Sequence, residues 1–270
     1  EAVFHFAASC IIPESLRNPL EYWAQNLSRT QDLVAQMLKY GCNSLVFSSS
    51  VAVYGRPQEL PMTENHELSP ANPYGFTKMC AESFLNHAST VGLRSASLRY
   101  FNAAGCSHDG KRGQYSQPET RLIPRAIQAA SNLVPPLTIF GQDWPTNDGT
   151  CIRDFVHVED LATAHIKALD TVCSQEGSRA YNLGNGRGYS VLDVLRSVEK
   201  AVGRPVPHEF GPRRDGDVAT MIASSERAEQ ELGWTPEITE LDQIIASAWD
   251  WHQHGWQHLH NTYSSTKTSR

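Results

Sequence analysis

Leu45-Val46-Phe47-Ser48-Ser49-Ser50 is an apolar run ending in hydroxyl groups, and Asn72-Pro73-Tyr74-Gly75-Phe76-Thr77-Lys78 follows it after a loop rich in Pro and Glu. The first piece reads as a buried strand, because a short apolar run bounded by polar residues suits a sheet covered on both faces. The second reads as the start of a helix, where Pro is well tolerated. Tyr74 and Lys78, four residues apart, then lie on one face of that helix, one above the other. An ammonium beside a phenol favours the phenolate. A phenol so tuned exchanges protons near neutral pH, as a general base must. Ser50, at the strand end, is placed to share a substrate hydroxyl with it. A Tyr-x-x-x-Lys pair alone is common on helical surfaces. Here the Tyr stands 24 residues after a Ser-rich strand end, and that context carries the signal.

Outward from this stretch the chain keeps an α/β rhythm. Strands are expected over residues 2–6, 45–50, 95–100, 137–141, 155–158 and 181–184. Helices are expected over 19–40, 73–90, 122–133, 158–172, 190–202, 225–232 and 241–251. Gly41 suits a helix stop, and Ser190 with Asp193 suits a capping box. The loop 55–73, with four Pro, is long enough to be functional. Ligands in open α/β sheets bind outside the carboxyl ends of the strands, so Ser50 and Asn102 fall where a site belongs.

The bulk properties narrow the classes. The 270 residues suit one large or two small domains with a sizeable core. A net charge of −6 argues against a general nucleic-acid or membrane-surface binder. No apolar run reaches the roughly 18 residues that a bilayer-spanning helix needs. Cys10, Cys42, Cys80, Cys106, Cys151 and Cys173 lack C-x-x-C spacing and read as reduced thiols of a cytoplasmic protein. His252, His254, His258 and His260 have no acid or thiol to complete a ligand set, so no metal is expected. His157 reads as a core histidine.

Four further motifs join the first: His5-Phe6-Ala7-Ala8, Leu98-Arg99-Tyr100-Phe101-Asn102, Arg153-Asp154-Phe155-Val156-His157 and Pro212-Arg213-Arg214-Asp215-Gly216-Asp217. With them the chain resembles the extended branch of the short-chain dehydrogenase/reductase superfamily. Within that branch it is similar, over about residues 1–250, to the nucleotide-sugar 4-epimerases. The resemblance implies a Rossmann-like doubly wound parallel sheet over 1–105. A smaller C-terminal α/β substrate domain over 106–260 would be interleaved with it, followed by a disordered tail at 261–270. It makes Ser50, Tyr74 and Lys78 the catalytic trio. NAD would be held by Phe6, Ala7, Asn26, Ser50, Tyr74, Lys78 and Phe101. The UDP-sugar would meet Ser50, Tyr74, Asn102, Leu122, Thr138, Phe140, Arg153, Arg214, Asp217 and Met221.

The chemistry implied is interconversion of UDP-glucose and UDP-galactose. Tyr74 takes the proton of the 4-hydroxyl while NAD oxidises C4, and the 4-keto sugar is re-reduced from its other face. A homodimer through the helices after Pro19 and Pro73 is also implied. In the family a Gly-x-x-Gly-x-x-Gly segment precedes the strand at 2–6. It is therefore expected outside residues 1–270, which alone are expected to retain no NAD and to be inactive. Three departures stand out: Arg121 in place of Asn, Cys10 in place of a Lys that touches the cofactor, and Ala52 in place of Thr. A 4,6-dehydratase would need an Asp-Glu pair where Val51-Ala52-Val53 stands. An epimerase of UDP-N-acetylhexosamines or UDP-pentoses keeps the same trio, and a non-catalytic nucleotide-sugar binding protein is the alternative from another class.

Overall fold

The computed structural model describes residues 1–116 and 119–256; His258, His260 and the tail at 261–270 lie outside the described residues. The chain divides into two compact units. One comprises Glu1–Phe101, Ala162–Gly186 and Met221–Thr235; the other comprises Asn102–Leu161, Arg187–Thr220 and the chain from Pro236 onward. The first crossover therefore falls at Phe101–Asn102, four residues before the boundary read from the sequence, and two later segments return to the first unit.

In chain order, β1 (Val3–His5) leads to α1 (Ile12–Arg17) and α2 (Pro19–Tyr22). A π turn at Trp23–Ser28 passes into α3 (Arg29–Lys39). Then come β2 (Ser44–Ser50), a 3₁₀ turn at Val51–Val53, α4 (Pro73–Ala88) and β3 (Arg94–Tyr100). The second unit opens with β4 (Asn102–Ala104), α5 (Leu122–Ala130), β5 (Leu137–Phe140) and β6 (Ile152–His157). Helix α6 (Val158–Ser174) carries the chain back to β7 (Ser178–Leu183). After these follow β8 (Gly188–Ser190), α7 (Val191–Val202), β9 (His208–Gly211), α8 (Glu226–Leu232) and α9 (Leu241–Trp251).

The first unit is built on a parallel sheet in the order β1-β2-β3-β7. It is the Rossmann-like α/β arrangement expected from the sequence. Leu45 and Phe47 of β2 pack against Val34 and Met37 of α3 and Ala81 and Leu85 of α4. Each large side chain buried there contributes roughly 1.5–3 kcal/mol. Parallel β2, covered on both faces, is what an uninterrupted apolar run specifies.

The strand expected over residues 2–6 is shorter, Val3–His5, and among the described residues it pairs with β2. His5 is buried, whereas Phe4 and Phe6 are 36% and 57% exposed. The helix expected over 19–40 is broken by the π turn, which turns Asn26 inward to 1% exposure. Helix α1 was not expected, and its N-cap Ile11 offers no side-chain oxygen to signal a start.

In the second unit β6 pairs parallel with β4 and antiparallel with β8, and β5 pairs parallel with β9. The core joins Ile123 and Ile127 of α5, Val194 and Val198 of α7, and Ile244 and Ile245 of α9. The capping box of α7 forms as expected. Ser190 Oγ accepts from the Asp193 N–H at 3.0 Å, and Asp193 Oδ2 accepts from the Ser190 N–H at 2.9 Å. At the other end of α7, Gly203 takes the left-handed φ of 75° that stops a helix.

Candidate active site

The first turn of α4 is set by Asn72 and Pro73. The Asn72 side chain accepts from the Gly75 N–H at 2.9 Å, and Pro73 takes the position where its missing N–H is harmless. Tyr74 and Lys78 then follow on one buried face of the helix. The Lys78 ammonium donates to the Ser48 carbonyl at 2.7 Å and lies 4.7 Å from the centre of the Phe47 ring. Burial pulls its pKa down to about 8, against the charges of Cys10 and Glu82, which favour the ammonium.

Ser50, the last residue of β2, caps the 3₁₀ turn by accepting from the Ala52 N–H at 3.2 Å. That bond uses a lone pair, so the Ser50 hydrogen remains available to give. Gly75, beside Tyr74, lets α4 pass this same turn closely: a Cβ there would stand 2.2 Å from the Ala52 carbonyl oxygen. We expect Gly75→Ala to push Tyr74 away from Ser50 and lower kcat by about 10²-fold, since misplacements near 1 Å cost that much. Steady-state kinetics on the folded variant checks this, and an unchanged kcat would contradict it.

Asn26 joins α4 to the chain after β1. Its Oδ1 accepts from the Ser9 N–H at 2.8 Å. Its Nδ2 gives one hydrogen to the Ser9 carbonyl at 2.9 Å and the other to Thr77 Oγ1 at 3.1 Å. The amide that was expected to face a cofactor thus has both hydrogens committed within the protein. His5, at the end of β1, binds Thr30 Oγ1 at 2.9 Å. Thr30 gives its own hydrogen to the Asn26 carbonyl at 2.7 Å, so His5 Nε2 is the donor. Burial, and then the Lys78 charge, lower the His5 pKa. Phe6 and Ala7 are exposed just beyond the carboxyl end of β1. Phe101, just past β3, is buried with Val53, Tyr54, Met62 and Ala223, and Met221 packs against that cluster. These positions suit a flat, partly apolar cofactor at the strand ends.

The second unit gathers cations. Arg153 donates to the Ile152 and Val218 carbonyls, each at 2.9 Å, and lies 3.8 Å from Asp217. Arg214 Nε donates to the other oxygen of Asp217 at 3.1 Å, and the guanidinium lies 4.5 Å from the Phe140 ring centre. Asp217 therefore holds two guanidinium groups that lie 61 residues apart in sequence. Thr138, two before Phe140 on β5, donates to Glu209 at 3.3 Å. Asn102 donates to the Asp154 carbonyl at 2.7 Å, and Leu122 packs on the core of this unit. Arg121 lies 4.0 Å from Glu119. His157 is buried, with Nε2 3.0 Å from Ser247 Oγ and Nδ1 accepting from the Glu159 N–H. Among the described residues no group of three His, Cys, Asp or Glu side chains is arranged to hold a metal.

Sequence reasoning gave no role to a buried chain of Glu82, Arg99, Tyr54 and Asn182 in the first unit. The available signal was Glu82 itself, one turn past Lys78 on the same face, where a buried carboxylate requires a partner.

Parallel strands ending in a Ser, beside a helix that buries a Tyr and a Lys, define a short-chain dehydrogenase/reductase-like site. The chain belongs to the NAD dependent epimerase/dehydratase family, whose model matches residues 1–184. The UDP-glucose 4-epimerase of Corynebacterium glutamicum is 46% identical over 251 residues, 92% of this chain and 75% of that protein. The UDP-glucose 4-epimerase of Brucella ovis, solved in complex with NAD, is 42% identical with a TM-score of 0.89, over 92% of this chain and 77% of that one. The enzyme of Bifidobacterium longum, solved with NAD+ and UDP, is 38% identical with a TM-score of 0.88, over 93% and 76%. The resemblance drawn from the motifs is borne out. The expectation of inactivity finds no support in these relatives, which are named as enzymes.

Proposed function

We propose that this chain interconverts UDP-glucose and UDP-galactose by inverting C4 of the sugar, with NAD as its cofactor. The observation that carries this reading is the buried Tyr74–Lys78 face of α4, set beside the Ser50 strand end. Tyr74 is the base that takes the proton of the 4-hydroxyl and later returns it. The Lys78 ammonium supports the phenolate, and Ser50 gives its hydrogen to the same sugar oxygen. NAD, when bound, supplies the oxidation of C4 and its reversal, and emerges unchanged. Phe6, Ala7 and Phe101, with Ser50, Tyr74 and Lys78, hold it, while Asn26 fixes the loop at Ser9. Arg153 and Arg214 meet the diphosphate, since a guanidinium fork matches phosphate oxygens. Asp217 orients both, and Asn102, Leu122, Thr138 and Phe140 surround the nucleotide and sugar.

The test is turnover of UDP-galactose and UDP-N-acetylgalactosamine by the purified protein with NAD. Met221, flexible and intermediate in volume, favours UDP-galactose with slower N-acetyl turnover. Equal kcat/KM for both would favour the broader epimerase reading, and no turnover of either would contradict both.

Lys78 also gives a pH dependence. As pH rises through about 8 its ammonium is lost and the phenolate loses its support, so kcat/KM should fall on the alkaline side. The sign for folding is opposite. Between about 8 and the ordinary 10.5 the folded chain holds fewer protons at Lys78 than the unfolded chain, so this group adds stability as pH rises. A pH–rate profile with no alkaline limb in that range would contradict the assignment.

Leu20 on the helix after Pro19 and Phe76 on the helix after Pro73 are exposed apolar residues, as is Leu16 on α1, and Trp23 lies 5.7 Å from the Phe76 ring. They support a homodimer closed by two-fold symmetry. Light scattering at micromolar concentration should give twice the chain mass, and a monomer would contradict this. The free cysteines support a cytoplasmic setting, and no described helix is long and apolar enough to cross a membrane.

A further inference from the structure

The end of β2 is tied to α4 at a second point that the proton chemistry does not use. Ser49 Oγ donates to Glu82 Oε1, one turn beyond Lys78. Glu82 is in turn paired with Arg99, whose Nη2 lies 2.6 Å and Nε 3.2 Å from its Oε2. Their side chains are only 8% and 6% exposed. Ser49 and Arg99 are register partners across β2 and β3, so both reach one carboxylate from adjacent strands.

The other arm of Arg99 leads past Ser50. Nη1 donates to the Tyr54 hydroxyl at 2.7 Å, and the guanidinium lies 4.9 Å from the Tyr54 ring centre. Tyr54 donates onward to Asn182 Oδ1 at 2.6 Å, and Asn182 Nδ2 donates to the Met62 carbonyl at 3.0 Å. Ser50 thus stands between two anchored points. Ser49 before it is held through Glu82, and Tyr54, which closes the turn after it, is held by Arg99 directly. Apolar side chains of like volume would fill this space without desolvating two charges. What they would lack is direction, and a buried ion pair that fixes register supplies it.

We propose that the Glu82–Arg99 pair is the positioning device that keeps Ser50 at the level of Tyr74 for proton exchange. Both residues act through Ser49 and Tyr54 rather than on the sugar. The inference rests on the epimerase reading above.

Removing either partner of the ion pair strands a buried charge and endangers folding, so the test cuts the links and leaves the pair intact. Ser49→Ala and Tyr54→Phe each remove one hydroxyl. Each should lower kcat for UDP-galactose about tenfold while KM and the affinity for UDP stay unchanged, the signature of a displaced reacting group. Ser49→Thr, which keeps the hydroxyl, should restore kcat. A merely structural role would lower thermal stability without this split. If Ser49→Ala does not fold, Tyr54→Phe reads the other anchor. A kcat within about twofold of the unmutated protein in the folded variants, or a loss carried by KM, overturns the proposal. Failure of the unmutated protein to turn over UDP-galactose overturns the epimerase reading, and this inference with it.

Discussion

Tyr74→Phe should lower kcat for UDP-galactose by at least about 10²-fold, the lower range for a general acid–base group, with UDP binding unchanged. The ring is 9% exposed at the head of α4, so Phe keeps the packing and removes only the proton-exchanging oxygen. Among the described residues the neighbouring phenols are already engaged. Tyr54 is committed to Asn182 and Arg99, and burial chiefly holds its pKa up at about 12. Tyr100 is engaged with His165 at 2.5 Å, and burial raises its pKa further still. Stopped-time assays at saturating UDP-galactose, with UDP titrated separately, check the split. Turnover near that of the unmutated protein would remove Tyr74 from the mechanism.

Arg214→Ala should weaken UDP binding by about 10- to 10²-fold, because a hydrogen bond to a charged group contributes roughly 1.5–3 kcal/mol. Arg153 spends Nη1 on two backbone carbonyls, which makes it as much a brace for β6 as a ligand for phosphate. Arg214 has its guanidinium laid on Phe140 and one nitrogen on Asp217, an arrangement that orients the fork. Because this interaction is made in the ground state and the transition state alike, kcat at saturation should change little. Calorimetric titration with UDP measures the effect, and an unaltered Kd would contradict the assignment.

How much of this was legible follows from which physics is local. Strand β2 and the start of α4 were readable because an apolar run and a helix-starting Pro are local signals, and the Tyr-to-Lys spacing follows from helical periodicity. The apolar run at Phe4 and Phe6 marks a strand, but a run of three residues does not say which of its faces is covered. The π turn was hidden because helical spacing on both sides of it is regular. Asn26 was therefore placed in an unbroken helix and given to the cofactor by resemblance alone, whereas the turn buries it against Ser9 and Thr77. Strands of three or four residues, such as β4, β8 and β9, have too few residues to show alternation. Arg153 and Asp217 lie 64 residues apart, and only family resemblance joined them. Glu82 and Arg99, 17 apart on a helix and a strand, had no motif to announce them.

In the proposed reaction C4 is oxidised and re-reduced within one enzyme-bound cycle, with Tyr74 moving only the hydroxyl proton. The direct measurement is incubation of the purified protein and NAD with UDP-galactose carrying deuterium at C4, followed by NMR of the product. The expected product is UDP-glucose with deuterium still at C4 and none released to water. Deuterium lost to solvent, or UDP-galactose recovered without any UDP-glucose, would contradict it.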